Sequence, residues 1–220
     1  METVYWVLIG IGAALLLAIL SYLVLKYIYH KPTGSIWPYL FYIFMFWMWI
    51  FTIFETPQKR RAKLKKAGVS EGQTILDLGC GIGRFSLLAA RIVGTAGKIY
   101  ALDVNPLHQA IVKARAKMGK MENISTILSD SSDTGLPDKT VDVVFINDAF
   151  HEFDDKKGTL REVFRILKSS GTLAIDEHEI KEDKFLRIVA EVSLFSLSEK
   201  DKRLYKFKKL KDEGKGARAS

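Results

Sequence analysis

Residues able to do chemistry gather where short apolar runs end. Asp77 lies inside the run Thr-Ile-Leu-Asp-Leu, which opens directly into Gly79, Cys80, Gly81 and Gly83. Asp103 closes a second run, Ile-Tyr-Ala-Leu-Asp, twenty residues beyond Gly83, and Asp130 follows a third. Glycines permit positive φ and let a ligand lie directly on the backbone, while a carboxylate at a strand end can accept from both hydroxyls of a ribose. Asp77 would repel a pyrophosphate but suits a cationic amino group. The dinucleotide spacing Gly-x-Gly-x-x-Gly is not met, because Arg84 holds the sixth position and the glycines run Gly-x-Gly-x-Gly. Three acids at three strand ends fit a positively charged nucleoside. Cys80 reads as a small residue in a tight turn, not as a nucleophile.

A second polar cluster follows the next two runs. Asn147, Asp148, His151 and Glu152 come after the fourth, and Asp176, Glu177 and His178 after the fifth, so two of the four histidines fall at one mouth. In open α/β sheets ligands bind beyond the carboxyl ends of the strands, which makes this the substrate side. Asp148, His151, Asp176 and His178 have the chemistry of metal ligands, but nothing in their spacing fixes a geometry and no metal is expected. A solvated His151 within a capping cluster around Asp154 is the plain structural alternative.

The elements that must position these residues alternate. Strands are expected near 74–78, 98–102, 124–128, 141–146 and 171–176, with helices near 84–93, 106–118, 155–168 and 182–192. Segments 193–198 and 204–210 are close enough to pair as an antiparallel hairpin at one sheet edge. The order is that of an α/β sheet with helices on both faces. Among 220 residues, 48% are apolar and one is cysteine, which excludes a disordered chain, an internal disulfide and a zinc-finger pattern.

Residues 71–210 resemble a class I S-adenosylmethionine-dependent methyltransferase. Residues 77–83 match its first motif, Asp103 its ribose-binding acid and Asp130 the acid that contacts the adenine amine. Residues 162–171, Glu-Val-Phe-Arg-Ile-Leu-Lys-Ser-Ser-Gly, resemble a segment of the quinone and sterol methyltransferase group, with Ser169 and Ser170 replacing its Pro and first Gly. The resemblance implies a seven-stranded Rossmann-like sheet and S-adenosylmethionine as cofactor. It extends the cofactor contacts to Cys80, Val104, Ser131 and Asn147. Methyl transfer to a hydroxyl, phenol, thiol or carbon acid requires proton removal, and histidine titrates nearest neutrality. His151 is the expected general base, with Asp148 or Asp176 orienting it or the substrate. An amino-methylating Asn/Asp-Pro-Pro-aromatic motif is absent, the equivalent stretch being Asn147-Asp148-Ala149-Phe150.

Residues 3–25 and 32–54 contain no charged side chain. As a helix, a stretch of that length reaches roughly 35 Å, enough to cross the hydrocarbon core. Two transmembrane or membrane-embedded helices are therefore expected over residues 1–54, the second rich in aromatics that also favour the interface. Gly10, Ala14 and Ala18 share one face and could pair helices within or between chains.

The net charge of +8 is concentrated: residues 55–70 and 199–220 carry +5 each, while 71–198 carry −3. This confinement argues against a broad nucleic-acid face. Residues 55–70 read as a basic linker helix near anionic head groups, placing the domain on the cytoplasmic side by the positive-inside rule, and 211–220 as a disordered tail. A bilayer-tethered site favours a quinone, isoprenoid, phospholipid or other lipophilic acceptor. A membrane-protein substrate, a nicotinamide-dependent oxidoreductase and a catalytically silent cofactor-binding scaffold are the competing readings.

Overall fold

The computed structural model describes residues 56–210. The two apolar stretches, with their Gly10/Ala14/Ala18 face, and the 211–220 tail lie outside the described residues. Among the described residues no helix is long and apolar enough to cross a membrane.

Seven strands form one sheet in the order β3-β2-β1-β4-β5-β7-β6. They are β1 (Thr74–Leu78), β2 (Lys98–Asp103), β3 (Ile124–Leu128), β4 (Val141–Asn147), β5 (Leu167–Asp176), β6 (Phe195–Asp201) and β7 (Leu204–Lys209). The first five are parallel, and β7 inserts antiparallel between β5 and β6. Among the described residues the α-helices are α1 (Pro57–Lys66), α2 (Ser86–Val93), α3 (Pro106–Met118), α4 (Lys156–Ile166) and α5 (Glu182–Glu191).

Side-chain alternation divides the core between the two faces. Leu76, Leu78, Val144 and Ile146 pack with Leu160, Val163 and Phe185 of α4 and α5. Ile75, Val143 and Phe145 pack with Phe85, Ala89 and Val93 on the opposite face. Asp77 shares the face of Ile75, so strand parity turns its carboxylate toward α2 instead of into solvent.

Two sequence expectations change. The basic segment expected as a linker helix over 55–70 is a helix at Pro57–Lys66 that packs onto the domain: Leu64, Ala67 and Val69 are buried in the α2-side core, and the compact unit containing the sheet begins at Pro57. The fifth strand starts at Leu167, four residues before the expected 171, with Leu167 paired to Val141 and a register shift before Val143. Ser169 and Ser170 are exposed and fall at that register break, between the paired residues Leu167 and Thr172.

Candidate functional site

Glycines 79, 81 and 83 all have positive φ, at 75°, 50° and 76°. Their roles differ once a methyl group is imagined on each. A Cβ at Gly79 would lie 2.6 Å from Ala149 Cβ, and one at Gly83 would lie 2.8 Å from Val112 Cγ2. A Cβ at Gly81 meets nothing within 4 Å. Gly79 and Gly83 therefore let the turn sit against the β4 loop and α3, while Gly81 presents open backbone.

Asp77 is 3% exposed and accepts the Ser86 hydroxyl on Oδ2 at 2.5 Å. Burial outweighs that hydrogen bond and pushes its carboxyl up to about 6. It braces the turn against the first residue of α2, beneath the surface and not at its mouth. Burial also pushes the Cys80 thiol well above its ordinary range, which disfavours the nucleophilic thiolate.

Asp103 is tied to the same turn. Its Oδ2 accepts from the Gly81 amide at 2.8 Å, and its Oδ1 accepts from the Asn105 amide at 2.9 Å and faces His108 Nδ1 at 3.1 Å. With His108 as donor, Oδ1 is filled and the remaining acceptor site of the carboxylate is on Oδ2. The sequence reading missed His108, although Asn105 as N-cap and Pro106 at the first helical position put it in the first turn of α3.

Val104 is 65% exposed, as is much of Leu128, the register partner of Asp103, so an apolar surface flanks the acid. Asp130 is exposed, and its Oδ1 accepts both the amide and the hydroxyl of Ser132, which lowers its pKa. Ser131 departs from expectation: it is buried, and its hydroxyl bonds Thr159 at 2.7 Å, tying the loop after β3 to α4.

At the ends of β4 and β5, the side chains pair differently from the expectation. Asp148, with φ +53°, approaches His178 Nδ1 at 2.6 Å. Asp176 and Asn147, register partners, both engage Lys63 of α1, Oδ2 at 2.8 Å and Oδ1 at 3.0 Å. The Lys63 ammonium also lies 5.4 Å from the Phe85 ring centroid. Neither expected acid orients His151, whose Nδ1 instead faces buried Glu177 Oε1 at 3.5 Å. Spacing could not reveal these partners, because His151 lies on a 3-10 turn, Phe150–Glu152, and Lys63 comes from another element. Among the described residues no group of three or more His, Cys, Asp or Glu side chains is arranged to hold a metal ion.

Residues 69–214 match the family model described as a methyltransferase domain. The chain belongs to the methyltransferase-domain family. It is 29% identical over 119 residues to ubiquinone/menaquinone biosynthesis C-methyltransferases of Pasteurella multocida and Escherichia coli O1:K1, a match covering 54% of this chain and 44% and 47% of those proteins. The match thus spans less than half the length of these curated relatives. A crystal structure of a S-adenosylmethionine-dependent methyltransferase from Aquifex aeolicus aligns with TM-score 0.61 and 25% identity, over 69% of this chain and 89% of that one. A protein from Methanococcus maripaludis shares the fold, with TM-score 0.62 and 17% identity, over 72% of this chain and 86% of that one.

This methyltransferase domain is of class I and takes S-adenosylmethionine as cofactor. The site fits that group: the open backbone at Gly81, the remaining acceptor site on Asp103 and the apolar Val104/Leu128 surface match a loop-bound sulfonium nucleoside.

Proposed function

We propose that this protein methylates a lipophilic or membrane-associated acceptor of quinone, isoprenoid or phospholipid type, with His151 as general base. The observation that carries this reading is the packing of the two turns. The His151 turn lies so close to the glycine turn that only a glycine fits at position 79, against Ala149 and Phe153. The turn that carries His151 therefore packs on the turn that would seat the cofactor, and a nucleophile bound between the two would reach both.

Asp103 would hold a ribose hydroxyl, Val104 and Asp130 the base, and Gly81 the open backbone beneath the cofactor. When bound, S-adenosylmethionine supplies an electrophilic methyl on a sulfonium. The chain's own task is alignment and proton removal, and His151 takes the acceptor's proton at the transfer. The lipophilic class is supported by the two uncharged stretches, 3–25 and 32–54, which would tether the site to a bilayer. It is also supported by the quinone-biosynthesis names of the matching relatives. Anionic head groups near residues 59–66 and a cytoplasmic-side domain belong to the same reading.

Calorimetric titration with S-adenosylmethionine and, separately, NADH tests the binding step, with Asp103→Ala expected to weaken the former about 10-fold or more. Incubation with methyl-labelled donor and membrane extracts tests the acceptor. Label in the lipid fraction supports the proposal, whereas label confined to protein identifies a membrane-protein substrate. No label in either fraction, from protein shown to bind the cofactor, favours the silent scaffold. Once a product is found, His151→Ala should lower turnover about 10²-fold or more; full turnover in that variant removes His151 as the base.

A further inference from the structure

Buried polar atoms in folded proteins almost always have partners, so exceptions carry information. Among the described residues three buried side-chain polar atoms lack one: Gln109 Oε1, His151 Nδ1 and Glu177 Oε2. Two of the three belong to facing side chains. His151 Nδ1 and Glu177 Oε1 are 3.5 Å apart, and the Glu177 side chain is 1% exposed.

The setting of Glu177 is built, not incidental. Its Oε1 accepts the amides of His178, Glu179 and Ile180 at 2.8, 2.7 and 3.2 Å, and its own amide donates to Arg203 O at 3.1 Å. Three converging N–H groups pin the carboxylate at the end of β5 and leave its spare acceptor capacity at Oε2. On the other side, Lys156 Nζ donates to the His151 carbonyl at 2.9 Å and to the Phe153 carbonyl at 2.6 Å, which fixes the 3-10 turn. The outer ring nitrogen, Nε2, lies 3.8 Å from Glu152 Oε1, a side chain 74% exposed. His178 is occupied by Asp148 and Glu179 and does not compete for Glu177 with its ring.

We propose that Glu177 is the positioning residue for His151, holding the proton on Nδ1 so that Nε2 presents its lone pair to the acceptor. The inference rests on the reading of His151 as general base. Oε1 is taken by the three amides, so a small ring rotation would bring the Nδ1–H onto the unpartnered Oε2, the kind of tightening that active sites undergo on loading. In the transfer, the acceptor's bond to its proton breaks and an Nε2–H bond forms. The Nδ1–H stays in place, and the resulting imidazolium charge faces the Glu177 carboxylate. No electron acceptor or further reactant is needed.

Imidazole nitrogen NMR on the full chain, well above the ordinary histidine titration range, tests this directly. The His151 signal is assigned by its loss in His151→Asn. Wild-type protein is expected to hold His151 as the Nδ1–H tautomer. Glu177→Gln keeps the shape but turns an amide N–H toward Nδ1, so His151 should switch to the Nε2–H tautomer. If a methyl acceptor is in hand, kcat should fall about 10²-fold with little change in KM, and Glu177→Asp should recover part of it. An Nε2–H tautomer in wild type, or one tautomer in both wild type and folded Glu177→Gln, overturns the proposal. The wild-type spectrum decides alone if the variant does not fold. The tautomer is read without turnover, so an active His151→Ala would sink the base assignment while leaving the Glu177–His151 geometry to be judged separately.

Discussion

The ends of β1 to β3 and the ends of β4 and β5 sit in one sheet, yet they are made by different means. The first half is backbone: three glycines of positive φ, two of them in contact with neighbours, and a carboxylate braced by amides. The second half is side-chain pairing: Lys63 with Asp176, His178 with Asp148, His151 facing Glu177. A backbone cradle tolerates almost no substitution and recognises a constant ligand. Paired side chains can be exchanged one at a time, which suits the half proposed to meet the acceptor.

The sharpest break in this comparison is within the glycine turn itself. Gly79→Ala adds a methyl group 2.6 Å from Ala149 Cβ at φ 75°. Overpacking and the left-handed backbone together should cost about 2–4 kcal/mol. Gly81→Ala faces open space and bears only the backbone cost, about 1 kcal/mol. Thermal melts should separate the two by several degrees, while calorimetry should show both losing S-adenosylmethionine binding. Equal melting points would mean that the two turns are not packed as described. Retained binding in a folded Gly81→Ala would remove that backbone from the cofactor seat.

The same contrast explains what could be read from sequence. The β1 and β3 limits and the α3 limits coincide with those expected, because β-branched runs, a glycine turn and an Asn-Pro cap are local signals. The positions of Asp103 and the glycines at the strand ends were likewise legible from spacing, whereas the burial of Asp77 beneath the turn was not. The partners of His151 were not. Asp148 is nearer in sequence and Asp176 adjoins Glu177, but Asp148, at φ +53°, pairs with His178, and Asp176 meets a lysine from a segment read as a linker helix. Lys63 is close in sequence to Leu64, whose burial docks the helix, but the alternation of charge and small residues in α1 carries no strong amphipathic signal.

A smaller effect, with a definite sign, separates structural bracing from ligand contact at Asp77. Its carboxyl titrates near 6 in the folded protein against 3.8 as the ordinary value. Between those values the native state binds more protons than the unfolded chain, so stability falls as pH rises from about 4 to 6 and levels off above it. The full loss is on the order of 3 kcal/mol. Asp77→Asn keeps the shape and removes the ionisation, so denaturant titrations should lose that slope and give a ligand-free protein more stable at neutral pH. If Asp77 also faces the cofactor's ammonium, wild-type affinity rises over the same interval and Asp77→Asn weakens binding about 10-fold. Unchanged affinity with a flattened stability profile assigns Asp77 to bracing alone.

The smallest expected effect tests whether α1 belongs to the acceptor half by charge as well as by packing. Lys63→Met keeps the apolar stem near Phe85 and removes the ammonium from Asp176 and Asn147. Lys63 is 20% exposed and Asp176 8%, so the pair is shielded but not dry. A coupling of about 1–2 kcal/mol is expected from a double-mutant cycle of Lys63→Met with Asp176→Asn, each variant alone costing more than the pair together. A cycle that closes to zero would leave Leu64 as the anchor of α1 and Lys63 as a neighbour of the strand ends. A coupling that appears in stability and again in S-adenosylmethionine affinity would make the basic helix part of the site, linking residues beside the uncharged stretches to the place where the methyl group moves.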